Sequence, residues 1–235
     1  MTASWQTPVG RIAGAFCRTV AAIGTRLRLD LTIEGLEHLP PRGPVLIAAR
    51  HFHHLYDGAI LISRLPRPVR LVVAADWAPG PRGRALLEAG CQLLGWPVLL
   101  RREALARRAR PAYRDTDVVP YLRRAGEAVA ALLRAGEVVA IFPEGYPTID
   151  PEWRTKPDDM TILPFRSGFV RFVCRAERTG AGPVPIIPAG IWAAPPDYRR
   201  FILRFGPAHF TRNVAPARLV DEIEHAVRAL SLPPT

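Results

Sequence analysis

Val45-Leu46-Ile47-Ala48-Ala49-Arg50-His51-Phe52-His53-His54-Leu55-Tyr56-Asp57 is an unbroken apolar run that ends in a cluster of imidazoles and a carboxylate. Five apolar residues without polar alternation fit a strand buried on both faces, as in a parallel sheet covered by helices. Polar side chains gathered where such a strand ends stand where open α/β sheets place their sites. The stretch therefore indicates both a fold class and a place for chemistry.

The neighbouring segments agree with it. Upstream, Leu31-Thr32-Ile33-Glu34 alternates like a strand, and Pro40-Pro41-Arg42-Gly43-Pro44 marks turns. Downstream, helices are expected over residues 57–64, 82–94, 121–134, 167–178 and 217–230, with Gly95 and Gly136 as stops. Strands are expected over 69–75, 97–100, 138–142, 184–187 and 201–205, with a basic exposed stretch at 103–110 and a polar loop at 146–160. This alternation predicts an α/β single domain with a largely parallel central sheet flanked by helices. A chain of 235 residues leaves little room for a second core.

Ahead of this domain, Ile12, Phe16, Val20, Ile23 and Leu27 recur at helical spacing within residues 8–29, with Arg11, Arg18 and Thr25 every seven on another face. Two readings fit: an ordinary helix packing its stripe on a core, or an amphipathic helix lying in a membrane surface. The second is preferred, dividing the chain into an N-terminal helix, 1–29, and a globular domain, 30–235. No run reaches the length of a spanning helix, and the arginines scattered through residues 1–30 do not form a secretory signal.

Charge supports an anionic partner. Lys and Arg total 32 against 21 Asp and Glu, for a formal +11, and Lys156 is the only lysine. Such a surplus suits nucleic acid, anionic lipid or phosphorylated substrates. No nucleic-acid reader motif stands among the basic residues, so nucleic acid is not an expected partner. Cys17, Cys91 and Cys174 are too dispersed for a C-x-x-C motif and suggest buried reduced thiols.

The histidine cluster admits several chemistries. A neutral imidazole can take a proton from an alcohol while a carboxylate fixes its tautomer. His53 and Asp57, four apart on one helical face, could instead bind metal, or the histidines could be plain surface residues. Phe142-Pro143-Glu144-Gly145-Tyr146-Pro147-Thr148 follows another buried strand and suits close approach to a polar group. Gly95 to Arg101 is a turn, a short strand and then Arg101-Arg102, able to hold a phosphate bidentately.

Taken together and in order, His51…Asp57, Gly95…Arg101, Phe142-Pro143-Glu144-Gly145 and Pro185-Ile186-Ile187-Pro188 resemble the four blocks of the glycerolipid acyltransferase family, best known for the 1-acylglycerol-3-phosphate acyltransferases. The lead-in from Ile33 to Pro40 and Pro164-Phe165-Arg166-Ser167-Gly168 extend the resemblance across roughly residues 30 to 207. Three departures stand out. Five residues separate His51 from Asp57 where four are commonest, leaving His53 and His54 as alternative bases. Arg50 replaces a frequent Asn. Tyr146-Pro147 replaces a common Thr-Arg, removing one arginine expected near an acceptor phosphate, although Thr148 keeps the usual hydroxyl.

The resemblance implies that 30–235 is an acyltransferase domain with His51 as general base and Asp57 orienting it. Gly95, Arg101, Arg102, Phe142, Pro143, Glu144, Gly145 and Thr148 would serve the substrates, with the arginines on phosphate and Glu144 shaping the acceptor pocket. It further implies a lysophospholipid acceptor, 1-acylglycerol-3-phosphate foremost, and acyl-CoA or acyl-ACP as donor. No metal or organic cofactor is expected. The setting would be phospholipid biosynthesis at an anionic membrane surface, on the cytoplasmic face of the cell membrane, peripheral or monotopic. Glycerol-3-phosphate, a non-phosphate lipid acceptor and a non-catalytic lipid-binding role are the alternatives.

Overall fold

A computed structural model describes residues 4–107, 112–151 and 155–234. In chain order the first half contains α1 (Pro8–Arg28), β1 (Asp30–Glu34), β2 (Val45–Ala49), α2 (Tyr56–Arg64), β3 (Val69–Leu71), β4 (Val73–Ala74), α3 (Gly80–Leu94), β5 (Val98–Leu99) and α4 (Arg102–Ala106). The second half contains α5 (Val118–Arg134), β6 (Val138–Ile141), α6 (Gly168–Ala176), β7 (Ile186–Ala193), β8 (Arg200–Phe205) and α7 (Pro216–Leu230).

The main sheet has the order β1-β8-β7-β2-β6-β3. β7, β2, β6 and β3 run parallel, whereas β8 turns back antiparallel to β7 and carries β1 parallel to itself. β2 is buried at every position, as its apolar run predicts. Side chains alternate across a strand, so Leu46 and Ala48 join one core with α5, α6 and α7, while Val45, Ile47 and Ala49 join the other with Ile60 and Leu61 of α2. The result is an α/β domain with a mostly parallel sheet between two helical layers.

Three segments differ from the sequence expectation. The run 69–75 is divided: β3 pairs with β6, while β4 leaves the main sheet and pairs with β5. Val72 donates its N–H to Ala140, and Val73 donates to Pro97, so the pairing partner changes between adjacent residues. β7 continues to Ala193 because β8 supplies a partner far along it. In the stretch expected to be exposed, α4 buries Ala104 and Leu105; positions 108–111 lie outside the described residues.

α1 is capped by Thr7, whose hydroxyl accepts the Gly10 N–H at 3.1 Å, with Pro8 at the first helical position. It packs on α2 through the Thr25 and Arg18 side: Arg18 donates to the Leu65 carbonyl at 2.6 Å, and Thr25 is buried near Ser63. Its apolar stripe faces away. Ile12 and Phe16 are 70% and 71% exposed, and Val20, Ile23 and Leu27 are also exposed. The alternative of a stripe packed on the core is therefore not what forms.

α7 closes one face of the sheet at Gly190, where a Cβ would lie 2.4 Å from the Leu230 backbone. Gly190→Ala should lower stability by about 1–3 kcal/mol, the usual range for overpacking. Gly14→Ala, whose Cβ would meet nothing within 4 Å, should not. Urea unfolding of the two variants measures the difference.

Candidate active site

Parallel pairing brings the first and third sequence blocks together. Ala48 of β2 lies opposite Ile141 of β6, so the residues after each strand emerge at the same edge. The His51 ring stacks on Phe142, with centroids 4.3 Å apart and planes at 17°. His51 Nδ1 lies 2.9 Å from Asp57 Oδ2, and the same oxygen accepts the Phe52 and His53 N–H groups at 2.6 and 2.9 Å. Asp57 is fully buried in the first turn of α2, where the helix dipole favours its negative charge. With Nδ1–H held by Asp57, Nε2 is the ring nitrogen left for the cleft that His51 lines.

Within the five-residue spacing, Phe52 turns into the core. Phe52 packs edge-on against Tyr198 and Phe201, while Ile149 donates to the Phe52 carbonyl at 2.7 Å. His53 and His54 turn elsewhere. His53 Nδ1 accepts N–H groups of Leu55 and Tyr56 at 3.2 and 3.3 Å, and His54 Nδ1 reaches the Ile149 carbonyl at 3.2 Å. Burial, with His54 nearby, pushes the His53 imidazole down to about 4 from 6.5. Among the described residues no group of three or more His, Cys, Asp or Glu is placed to hold a metal.

Behind His51 sits a second charge pair. Glu144 is buried and its Oε1 accepts the His51 N–H at 2.7 Å. Its Oε2 accepts Lys156 Nζ at 2.6 Å and the Leu163 N–H at 2.9 Å. Lys156 also donates to the His51 carbonyl at 2.8 Å, so both backbone groups of the histidine are held. Burial lowers the proton affinity of Lys156, and the Glu144 carboxylate opposes that effect. Glu144 is thus placed behind the histidine, not on the wall of an acceptor pocket as the sequence suggested. Lys156 was visible in the sequence only as the one lysine among 32 basic residues.

In front of His51 opens a cleft of about 500 Å³, lined by Arg101, Arg102, Phe142, Pro143, Gly145 and Arg166 together with apolar Leu99, Leu122, Phe169 and Phe172. Arg101 is not free for a ligand. Its Nε and terminal nitrogen grip the fully buried Asp76 at 2.9 and 2.6 Å, its other nitrogen donates to the Gly145 carbonyl, and it lies 4.2 Å over the Tyr146 ring. Arg102 pairs with Asp115 at the surface. Arg166 pairs with Glu103 there too, and is 49% exposed. Gly145 has φ +80°, and a Cβ on it would come 3.1 Å from Arg166 Nε.

Besides Glu144, two more expected substrate residues are placed outside the cleft lining. Gly95 is the left-handed cap of α3, where a Cβ would meet Trp5 at 2.4 Å. Thr148 is buried and donates its N–H to the His51 carbonyl at 3.1 Å. Asp76 carried no motif, because its partner Arg101 is 25 positions away, beyond α3 and β5.

A buried carboxylate holds an imidazole at the carboxyl edge of a parallel sheet, facing a cleft part apolar and part cationic, an arrangement suited to taking a proton from a hydroxyl. The sequence profile of the family described as Acyltransferase matches residues 30–192, and the chain belongs to that family. Among solved structures its fold is similar to the crystal structure of the 1-acyl-sn-glycerophosphate (LPA) acyltransferase PlsC from Thermotoga maritima, with a TM-score of 0.58 and 14% identity over 96% of this chain and 83% of that one. A search of curated proteins finds no match.

His51→Ala should reduce acyl transfer by about 10²–10⁴-fold, the usual contribution of a positioned base, and His54→Ala should retain most activity. Turnover with a long-chain acyl-CoA measures both. For His53 the sign follows from its lowered value: the unfolded chain takes up a proton near 6.5 that the folded chain refuses until about 4. Stability should be full above pH 6.5 and fall between 6.5 and 4, a component that His53→Asn removes from urea midpoints measured against pH.

Proposed function

We propose that this enzyme moves a fatty acyl group from acyl-CoA or acyl-ACP to the hydroxyl of 1-acylglycerol-3-phosphate, giving phosphatidate. The observation that carries the proposal is the His51–Asp57 pair opening onto a cleft with both apolar and cationic walls. His51 Nε2 takes the acceptor's hydroxyl proton as its oxygen forms a bond to the thioester carbonyl carbon. The carbon–sulfur bond then breaks, and the thiolate leaves with the proton held by the imidazolium. Asp57 stabilises that imidazolium without taking its proton. The step needs no covalent enzyme intermediate and no bound metal or organic cofactor. The chemistry of the similar PlsC, named as an LPA acyltransferase, supports the acceptor.

The acceptor phosphate falls to Arg166, with Arg102 beside it, since Arg101 is committed to Asp76. An exposed pair such as Arg166–Glu103 is worth little in water and can exchange its carboxylate for a phosphate dianion. A second reading, a non-phosphate lipid acceptor, is favoured by the Arg101–Asp76 lock and by Pro147 where an arginine is common. Arg166→Gln distinguishes them. It should raise KM for lysophosphatidate about tenfold or more, the loss of one charge-assisted contact, and leave a monoacylglycerol acceptor unaffected. Equal activity on both acceptors in the unmodified enzyme would favour the second reading.

The substrate's location gives α1 its role. We infer that Ile12, Phe16, Val20, Ile23 and Leu27 enter the acyl boundary of an anionic bilayer on its cytoplasmic side, with exposed Arg11, Arg26 and Arg28 at head groups. Among the described residues no helix is long and apolar enough to cross a membrane. Ile12→Ser/Phe16→Ser/Ile23→Ser should abolish sedimentation with phosphatidylglycerol vesicles while the fold, judged by circular dichroism, is kept. Undiminished sedimentation of this variant would sink the assignment.

A further inference from the structure

We propose that Lys156 is a positioning residue for acyl transfer, holding His51 by its main chain and balancing the charge of Glu144 behind it. The inference rests on the reading of His51 as the base.

The geometry is that of a clamp. Glu144 accepts a hydrogen bond from the His51 N–H and Lys156 donates one to the His51 carbonyl, while the two side chains bond each other at 2.6 Å with no solvent exposure. The histidine main chain thus cannot rotate without breaking a buried bond to a charged group. Lys156 belongs to a segment, 155–163, that no motif of the sequence marked, and this segment is fastened beside the base at further points. Fully buried Arg50 donates to the Asp159 carbonyl and, at 2.8 Å, to Ile191. Tyr198 donates to the Asp159 carboxylate, and Leu163 to Glu144. Arg50 and Lys156 are cations whose burial opposes their charge, and Glu144 and Asp57 are anions that support it. Arg50 and Lys156 thus lie among Glu144, Asp57, Asp158 and Asp159, and Lys156 is the cation bonded to the carboxylate behind His51.

Burying the Lys156–Glu144 pair contributes little net stability, because desolvation offsets most of the attraction. Removing one member is a different matter, since it leaves a bare charge next to the base. The groups facing His51 are Asp57 from α2, Glu144 after β6, Lys156 on 155–163, Arg50 at the end of β2 and His53 in the same turn, with Arg101 and Arg166 on the cleft walls. Lys156→Met leaves the Glu144 charge unmatched and favours the imidazolium. Glu144→Gln leaves the ammonium unmatched and disfavours it.

The test is the pH dependence of kcat for acyl transfer from acyl-CoA to lysophosphatidate by the full-length chain. Lys156→Met should move the acidic limb to higher pH, Glu144→Gln should move it to lower pH, and the double variant should return it towards its starting place. All three should lower kcat by about 10- to 100-fold, as small misplacements of a catalytic group do. KM for acyl-CoA should stay within twofold or so, because Lys156 is absent from the cleft lining. A purely structural role predicts reduced thermal stability with no opposed shifts of the limb. Limbs of both single variants at the original position, or a double variant with full kcat, would overturn the proposal. If one single variant does not fold, the other and the double still decide it. Full activity in His51→Ala, run alongside, would instead defeat the underlying reading of the base.

Discussion

The parallel pairing of β2 with β6 is the constraint on which the rest depends. Hydrogen bonding between Leu46–Ile47 and Val139–Ala140 sets one register, and that register brings the two strand ends to the same height. The chain leaves β2 as Arg50-His51 and leaves β6 as Phe142-Pro143-Glu144, and the ring stack and the Glu144–His51 bond follow at once. A slip by one residue would turn each side chain to the opposite face and separate these groups. The register is protected because both faces of β2 are buried, so no alternative pairing keeps its apolar residues out of water.

Around this junction the protein uses buried charge for geometry. His51 is held from one side by Asp57 and from behind by Glu144 and Lys156, and Arg101 is held by Asp76. Burial makes each partner costly to remove, so each group has one low-energy arrangement. The Arg101–Asp76 pair also ties the small β4-β5 sheet to the Gly145 turn, and so fixes one wall of the cleft to the other. At the rim, Arg102 and Arg166 are paired with the exposed carboxylates of Asp115 and Glu103.

The outward stripe of α1 completes a consistent arrangement. The helix is docked through Arg18 and Thr25 onto α2, the helix that carries Asp57 in its first turn. α1 is thus joined through one packed helix to the carboxylate that holds His51. On the membrane role proposed for α1, the acceptor would reach His51 from the plane that holds the helix.

Much of this was legible in the sequence because it depends on local pattern. The apolar run at 45–49, the 3.6-residue period of α1 and the glycine stops at Gly95 and Gly136 follow from solvation and backbone sterics acting over a few residues. The order of the four blocks carried the family, and the imidazole–carboxylate composition carried the kind of chemistry. Local pattern left His53 and His54 beside His51 as candidates, since all three lie within reach of Asp57 in the chain, and only the family resemblance preferred His51. It could not show that Arg101 is spent on Asp76, that Gly95 supports Trp5, or that Lys156 reaches back across 105 positions to His51. Those outcomes belong to the tertiary structure, because hydrogen-bond and ion-pair geometry is set by side chains that only the sheet register and the packing of distant segments bring within 3 Å of one another.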